Sequence, residues 1–249
     1  MCATCGCSDH HDDHHDDHEH DHDHDHDHDH DHDHRHEVRD LERHLLEHNA
    51  SLAARNREWL SARRIRAFNL MSSPGAGKTT LLERTIRDLP AARISVIEGD
   101  QETDRDAERI RAAGARAIQI NTGAGCHLDA SMVERAMRAL EPPDGSTLMI
   151  ENVGNLVCPS LFDLGESARV VIASVTEGDD KPLKYPHMFR GATAVLLNKM
   201  DLLLHVSFDV DAFTRHARKV NPKVEVLPLS ATRGEGLPAW YRWLQEPRP

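Results

Sequence analysis

Apolar residues along this chain follow two periods, and one stretch has none. Between residues 38 and 64 they recur at helical spacing, at Val38, Leu41, Leu45, Leu52 and Trp59. That spacing predicts one helix, or two with a break near Asn49, packed on the main domain. Residues 65–71 read as a strand, and residues 79–89 as a helix stopped by Pro90. Further strands are expected at 94–98, 115–120, 147–152, 170–175, 194–198 and 224–229, and further helices at 103–113, 130–140, 210–220 and 237–244. Asp129 stands where it would cap the helix at 130–140. Several strands are continuous apolar runs, as parallel strands covered on both faces must be. Strands alternating with helices imply right-handed crossovers. The expected fold class is therefore α/β, a mostly parallel central sheet flanked by helices.

Before residue 38 the pattern stops. Apart from Met1, residues 1–37 hold no aliphatic residue larger than alanine, so they cannot bury a core and are expected to be disordered. The division is then a tail at 1–37 and one α/β domain at 38–249 with an N-terminal helical segment. The net charge of −12 comes from the tail, where 14 acids face one arginine; the remainder carries 29 basic and 28 acidic residues. A near-neutral body with an acidic tail argues against nucleic acid as a partner. No apolar run is long enough for a signal peptide or a membrane span.

The tail's chemistry is that of metal ligands. Fourteen of the 20 histidines lie there: His10, His11, His14, His15, His18, His20, His22, His24, His26, His28, His30, His32, His34 and His36, mostly alternating with aspartate. Imidazoles at this density offer many weak, exchangeable sites for nickel, copper or zinc, suited to storage. Cys2, Cys5 and Cys7 have the close spacing of a chelate. With Cys126 and Cys158 they make an odd total of five, which favours metal binding over a disulfide framework; the missing signal and membrane segments, with the nucleotide site described next, point to a reducing cytoplasm.

A phosphate cradle follows. Ser72-Ser73-Pro74-Gly75-Ala76-Gly77-Lys78-Thr79-Thr80 lies between an expected strand and an expected helix. It fits the P-loop pattern except that Ser72 holds the first glycine position. Gly75, Ala76 and Gly77 would turn backbone N–H groups onto phosphate, with Thr80 continuing the site. Lys78 would neutralise the β- and γ-phosphates, and Thr79 would ligate Mg²⁺. Asn198-Lys199-Met200-Asp201 closes an apolar strand and resembles the N-K-x-D guanine signature of GTPases. Asp201 can accept hydrogen bonds from the guanine N1–H and amine, a donor pair that adenine lacks. Ser230-Ala231-Thr232 resembles the further loop that supports the base. Glu98-Gly99-Asp100 and Glu151-Asn152-Val153-Gly154 each follow a strand. Asp100 is expected in the magnesium shell, and Glu151 stands where many GTPases carry D-x-x-G.

Cys126-His127 follows a glycine-rich turn, and Cys158-Pro159 follows the Glu151 segment. Adjacent cysteine and histidine do not easily share one ion in an extended chain, and three ligands leave a tetrahedral site incomplete. Both facts suggest a metal site at a two-fold interface. The alternative is that Cys126 and Cys158 are small buried hydrophobes.

Taken together, these residues resemble the nickel-incorporation GTPases of hydrogenase maturation, the HypB family. The resemblance is carried by Asn69 through Glu83, Glu98-Gly-Asp100, Asn121-Thr-Gly-Ala-Gly-Cys-His-Leu128, Glu151-Asn-Val-Gly-Asn-Leu-Val-Cys-Pro159, Glu177-Gly-Asp-Asp-Lys-Pro-Leu-Lys-Tyr-Pro186 and Asn198 through Asp201. That family belongs to the SIMIBI class of P-loop GTPases, the dimerising class related to signal-recognition-particle and MinD-type proteins, and it does not keep the first P-loop glycine. The resemblance implies hydrolysis of GTP to GDP, with Mg²⁺, Ni²⁺ and Zn²⁺ as ions. It implies a GTP-promoted homodimer that delivers nickel to the [NiFe]-hydrogenase large-subunit precursor, with the HypA metallochaperone and, in some members, the isomerase SlyD. Cys126, His127 and Cys158 fall on its interfacial metal site, Cys2, Cys5 and Cys7 on its high-affinity N-terminal site, and the histidines on its storage tail. Lys181 or Lys184 would add positive charge near the phosphates. Two other readings are a urease accessory GTPase and a nickel-storage protein with a vestigial nucleotide site. The former carries Cys-Pro-His, whereas Ser160 follows Cys158-Pro159 here. An intact Lys78-Thr79 with Asn198 through Asp201 argues against the latter.

Overall fold

The computed structural model describes residues 30–100, 105–123 and 125–247. Cys2, Cys5, Cys7, the histidines before His30 and Thr103 lie outside them. The side chains of His30, His32, His34 and His36 are likewise not described.

The chain opens with α1 (His30–Ala62), followed by β1 (Arg66–Ser72), α2 (Lys78–Asp88), β2 (Ile94–Asp100), α3 (Arg105–Ala112), β3 (Arg116–Asn121), α4 (Ala130–Leu140) and β4 (Thr147–Glu151). It continues with α5 (Cys158–Leu161), β5 (Ala168–Ser174), α6 (Lys181–Lys184), α7 (Pro186–Arg190), β6 (Ala194–Asn198), α8 (Val210–Val220), β7 (Glu225–Pro228) and α9 (Leu237–Gln245). The described residues up to His48 and those from Asn49 onward form separate units. In the first, Arg43 pairs on the helix surface with Asp40 (3.0 Å) and Glu47 (4.0 Å).

In the second unit, among the described residues, seven strands form one sheet in the order β3-β2-β4-β1-β5-β6-β7. Every pairing is parallel. Alternate residues of each inner strand enter different cores. Phe68, Leu70, Met149, Val170, Ile172 and Leu196 pack with α2, α3 and α9, where Trp240 and Trp243 stack. On the other face Leu148 and Ile150 meet α1 and α4, while Val171, Val195 and Leu197 meet α7 and α8. Burial on both faces explains why the inner strands read as unbroken apolar runs. The α/β fold expected from the sequence is the one observed.

Four elements depart from the sequence reading. The helix already runs at His30, the first described residue, ahead of Val38, and it continues through Asn49 without a break. The Asn49 side chain is spent on distant backbone: Nδ2 donates to the Asp163 carbonyl (2.8 Å), and Oδ1 accepts from Ala130 N (2.9 Å). An asparagine so engaged does not compete for its own helix backbone. It also satisfies a free N–H at the start of α4. There Asp129 accepts from Met132 N (2.8 Å), the expected cap. The short helices α5, α6 and α7 have no counterpart in the periodicity, because one turn is too short to show a period. No helix among the described residues is long and apolar enough to cross a membrane.

Parallel strands all point one way, so the segments after β1, β2, β4, β5 and β6 emerge along one edge. In such sheets that carboxyl edge is where ligands bind.

Candidate functional site

β1 ends at Ser72, and the chain turns through Gly75 (φ 75°) and Gly77 (φ 97°) into α2. Both glycines adopt the left-handed backbone that side chains avoid. A Cβ on Gly77 would also fall 2.6 Å from Asn198 Nδ2. The loop rims a cavity of about 550 Å³ lined by Gly75, Gly77, Lys78, Thr79 and Thr80, with Asp100, Glu151 and Lys199 across from them. This size suits a nucleotide's phosphates. Lys78 Nζ donates to Ser72 Oγ (2.7 Å). Burial holds the Lys78 ammonium below its usual range, against the opposing pull of Glu151, Asp106, Glu177 and Asp100.

Acids crowd the far wall. The Thr79 hydroxyl lies 2.9 Å from Asp106 Oδ2 and 3.0 Å from Glu151 Oε1. Glu151 is 4 % exposed, and its Oε2 has no hydrogen-bond partner among the described residues. Burial pushes its carboxyl from the ordinary 4.5 up to about 7, the attraction of Lys78 notwithstanding. A threonine hydroxyl ringed by carboxylate oxygens, one of them orphaned, fits a small hard cation such as Mg²⁺. Asp106 and Arg109 were not legible as site residues. Arg109 bridges Asp106 (2.9 Å) and Glu83 (3.0 Å) at the cavity wall. In the sequence, an acid in a helix's first turn and an arginine three residues on pass for ordinary helix chemistry.

Asn198 is a clamp. Its Nδ2 donates to the Ala76 carbonyl (2.9 Å), and its Oδ1 accepts from Ala231 N (3.1 Å). Lys199 (φ 62°) donates to the Gly75 carbonyl (2.7 Å). Ser230 Oγ donates to Asp201 Oδ1 (2.6 Å), fixing that carboxylate. Of this group only Lys199 lines the phosphate cavity; Asp201 and Ser230 stand beyond it. Lys181, buried, donates to Ser73 Oγ (2.6 Å) and pairs with Glu177, so it lies against the P-loop. Lys184 is exposed and pairs with Asp180 at 2.8 Å.

The second constellation is Cys126, His127 and Cys158, whose ligand atoms all lie within 4.8 Å of one another. Cys126 Sγ is 3.6 Å from His127 Nδ1. Neighbouring residues converge because their loop is not extended: Gly125 N bonds back to the Thr122 carbonyl (2.8 Å), and Gly123 has φ 56°. The difficulty expected for an adjacent cysteine and histidine in an extended chain therefore does not arise in this folded loop. His127 stacks on Phe162 at 3.9 Å between centroids. Burial lowers its pKa, against Asp129, which favours the neutral imidazole that ligates metal. Cys158 opens α5 and is 1 % exposed. Two thiolates and an imidazole suit a borderline transition metal and leave a position open.

A family model described as CobW/HypB/UreG, nucleotide-binding domain, matches residues 66–228. A hydrogenase maturation factor HypB of Azotobacter chroococcum mcd 1 is 56 % identical over 209 residues, 84 % of this chain and 68 % of the relative. The Escherichia coli (strain K12) protein of the same name is 54 % identical over 210 residues, 84 % of this chain and 72 % of its own. Among solved structures, HypB from Helicobacter pylori in complex with nickel superposes with a TM-score of 0.74 at 42 % identity, covering 79 % of this chain and 93 % of that one.

Proposed function

The chain belongs to the HypB hydrogenase maturation factors of the CobW/HypB/UreG family, and from that footing we propose that it is a GTP-hydrolysing nickel carrier. GTP and water give GDP and phosphate in the cavity, and the metal taken up at Cys126, His127 and Cys158 is the cargo. The observation that carries the reading is that Glu151, which lines the cavity, and Cys158, one of the three clustered donors, begin and end one short segment between β4 and α5.

In this reading Lys78 neutralises the β- and γ-phosphates, and Thr79 and Asp100 would hold Mg²⁺, which would supply screening of the developing charge. Glu151, once ionised, would orient a water, either one held by that ion or the attacking one. Asn198, Lys199, Asp201, Ser230 and Ala231 form the guanine side. Three donors leave the metal site open to a second copy, so GTP favours a homodimer whose two donor sets face one ion or a pair, with Ni²⁺ or Zn²⁺ as occupants. Hydrolysis loosens the dimer and releases nickel toward the [NiFe]-hydrogenase large-subunit precursor, with HypA as partner and SlyD as the further one that some family members use. Cys2, Cys5, Cys7 and the histidine-rich tail at 1–37 take up and store the metal in the reducing cytoplasm.

The test is to load the purified protein with Ni²⁺ and follow metal occupancy and oligomeric state with GDP and with a non-hydrolysable GTP analogue. Coupling is reciprocal, so the analogue must alter nickel affinity if nickel alters analogue affinity. Equal affinities and equal dimer fractions in the two states reject the switch and leave separate GTPase and metal-binding activities.

A further inference from the structure

One buried amide joins the loop that meets the phosphates to the loop that carries the metal donors. Asn152 follows β4 and is 1 % exposed. Its Oδ1 accepts two backbone N–H groups at once, from Val153 on its own loop (3.0 Å) and from Leu128 (3.2 Å), the residue after His127. Its Nδ2 donates to Asn69 Oδ1 in β1 (3.3 Å), and Asn69 Nδ2 donates to Glu166 Oε1 (3.3 Å). Glu166 accepts from Leu164 N (2.7 Å) and Arg169 Nε (2.7 Å). Arg169 in turn donates to the Ser160 carbonyl (3.2 Å), two residues after Cys158. The chain of hydrogen bonds therefore touches both arms of the donor set. Leu128 is held from a second side as well, since a Cβ on Gly99 would fall 2.8 Å from its Cγ. The leucine thus packs on the backbone beside Asp100.

We propose that Asn152 is the positioning residue through which the occupant of the nucleotide cavity sets the geometry of Cys126, His127 and Cys158. The inference rests on the reading above, that nucleotide and metal are coupled, and names the route. Asn152, Val153 and Gly154 all line the cavity. Gly154 abuts the P-loop so closely that a Cβ there would lie 3.2 Å from Pro74. A γ-phosphate arriving at that contact displaces or captures the 152–154 backbone. The amide cannot yield quietly, because both lone pairs of Oδ1 are in use and a buried N–H left without an acceptor is costly. Leu128 N must follow or lose its partner, and His127 moves with it. The covalent path from Gly154 to Cys158 is a rival route. It stays intact when only the Asn152 side chain is removed.

The experiment uses the full-length chain with Cys2, Cys5 and Cys7 replaced by serine. Cys126 and Cys158 are then its only thiols, as the sequence has five cysteines. Thiolate-to-nickel charge-transfer absorbance then reports this site alone, and the tail imidazoles are silent. Ni²⁺ is titrated with saturating GDP and with a saturating non-hydrolysable GTP analogue. The parent's two affinities should differ by at least about fivefold, the lower end of measured couplings. In Asn152→Ala the ratio should fall to within about twofold while nickel still binds in both states, and Asn69→Ala, which removes the amide's anchor without touching either ligand, should lower it too. A simple packing defect would weaken both affinities and spare their ratio. An unchanged ratio in Asn152→Ala, or in Asn69→Ala should the first variant not fold, overturns the proposal and leaves coupling to the covalent path. A parent with no ratio overturns the functional reading and the route together.

Discussion

Glu151→Gln should stabilise the protein while disabling it. The Glu151 carboxyl is buried beside Thr79, and burial raises it from 4.5 to about 7. In the unfolded chain it gives up its proton near 4.5, whereas the folded protein holds that proton to about 7. Between those values the native state binds more protons, so stability falls as pH rises through the window. At about 1.4 kcal/mol per unit, the ionised side chain costs the nucleotide-free protein roughly 3 kcal/mol once the pH is well above 7. Glutamine keeps an acceptor for the Thr79 hydroxyl and carries no charge. Urea denaturation of metal- and nucleotide-free protein at about pH 8 should therefore show Glu151→Gln roughly 3 kcal/mol more stable than the parent, with the gap closing near pH 5. The tail histidines titrate alike in both proteins and cancel. Magnesium-dependent GTP turnover should collapse in the same variant, because a cation that recovers the cost of ionisation no longer finds a carboxylate. A Gln variant no more stable than the parent at pH 8 would refute the assignment of Glu151 as a strained, cation-awaiting acid.

Lys78→Ala should lower GTP turnover by at least about a hundredfold, the loss expected for one preorganised donor to developing charge, while its circular dichroism stays native; normal turnover in the folded variant would remove the P-loop lysine from the mechanism. If the carboxylate that Ser230 fixes accepts from two guanine donors as proposed, Asp201→Asn should relax the preference for GTP over XTP, read by competition; unchanged selectivity would move base reading elsewhere. Deleting residues 8–37 should eliminate most bound nickel by equilibrium dialysis and spare GTP turnover. In the intact protein, nickel binding should fall as pH drops through about 6.5, where imidazoles take up protons.

Most of the residues that line this cavity belong to motifs visible in the sequence, because parallel strands place their motifs in one row. A strand, then Gly75, Gly77 and Lys78, then a helix is a local arrangement, and local arrangements leave periodic traces. Even the departure at the first P-loop glycine has a local reason. Ser72 still belongs to β1 and is not among the residues with positive φ, so that position demands no glycine, and its hydroxyl holds Lys78 instead. What stayed hidden is what only packing creates. Asp106 meets Thr79 across 27 residues, and nothing in its neighbourhood separates it from an acid placed to suit a helix dipole. The raised carboxyl of Glu151 comes from desolvation, which a strand-end glutamate does not advertise.

Asn198 marks the boundary between these two kinds of information. Its place in Asn198-Lys199-Met200-Asp201 led to its assignment as a nucleotide contact, yet its amide binds the Ala76 carbonyl of one loop and Ala231 N of another. Gly77 has no Cβ partly because that amide occupies the space. Phosphate loop and base loop are thus one object, clamped by a buried side chain, before any nucleotide arrives. Asn152 does the same at the other end of the cavity, with Val153 and Leu128 as the two backbones it joins. In both cases an asparagine with few rotatable bonds satisfies N–H groups that would otherwise be buried unpaired. A short motif at a strand end therefore records two demands at once, the ligand's and the scaffold's. Substitutions that spare one and break the other, Asp201→Asn against Asn198→Ala on the base side, are the means of separating them.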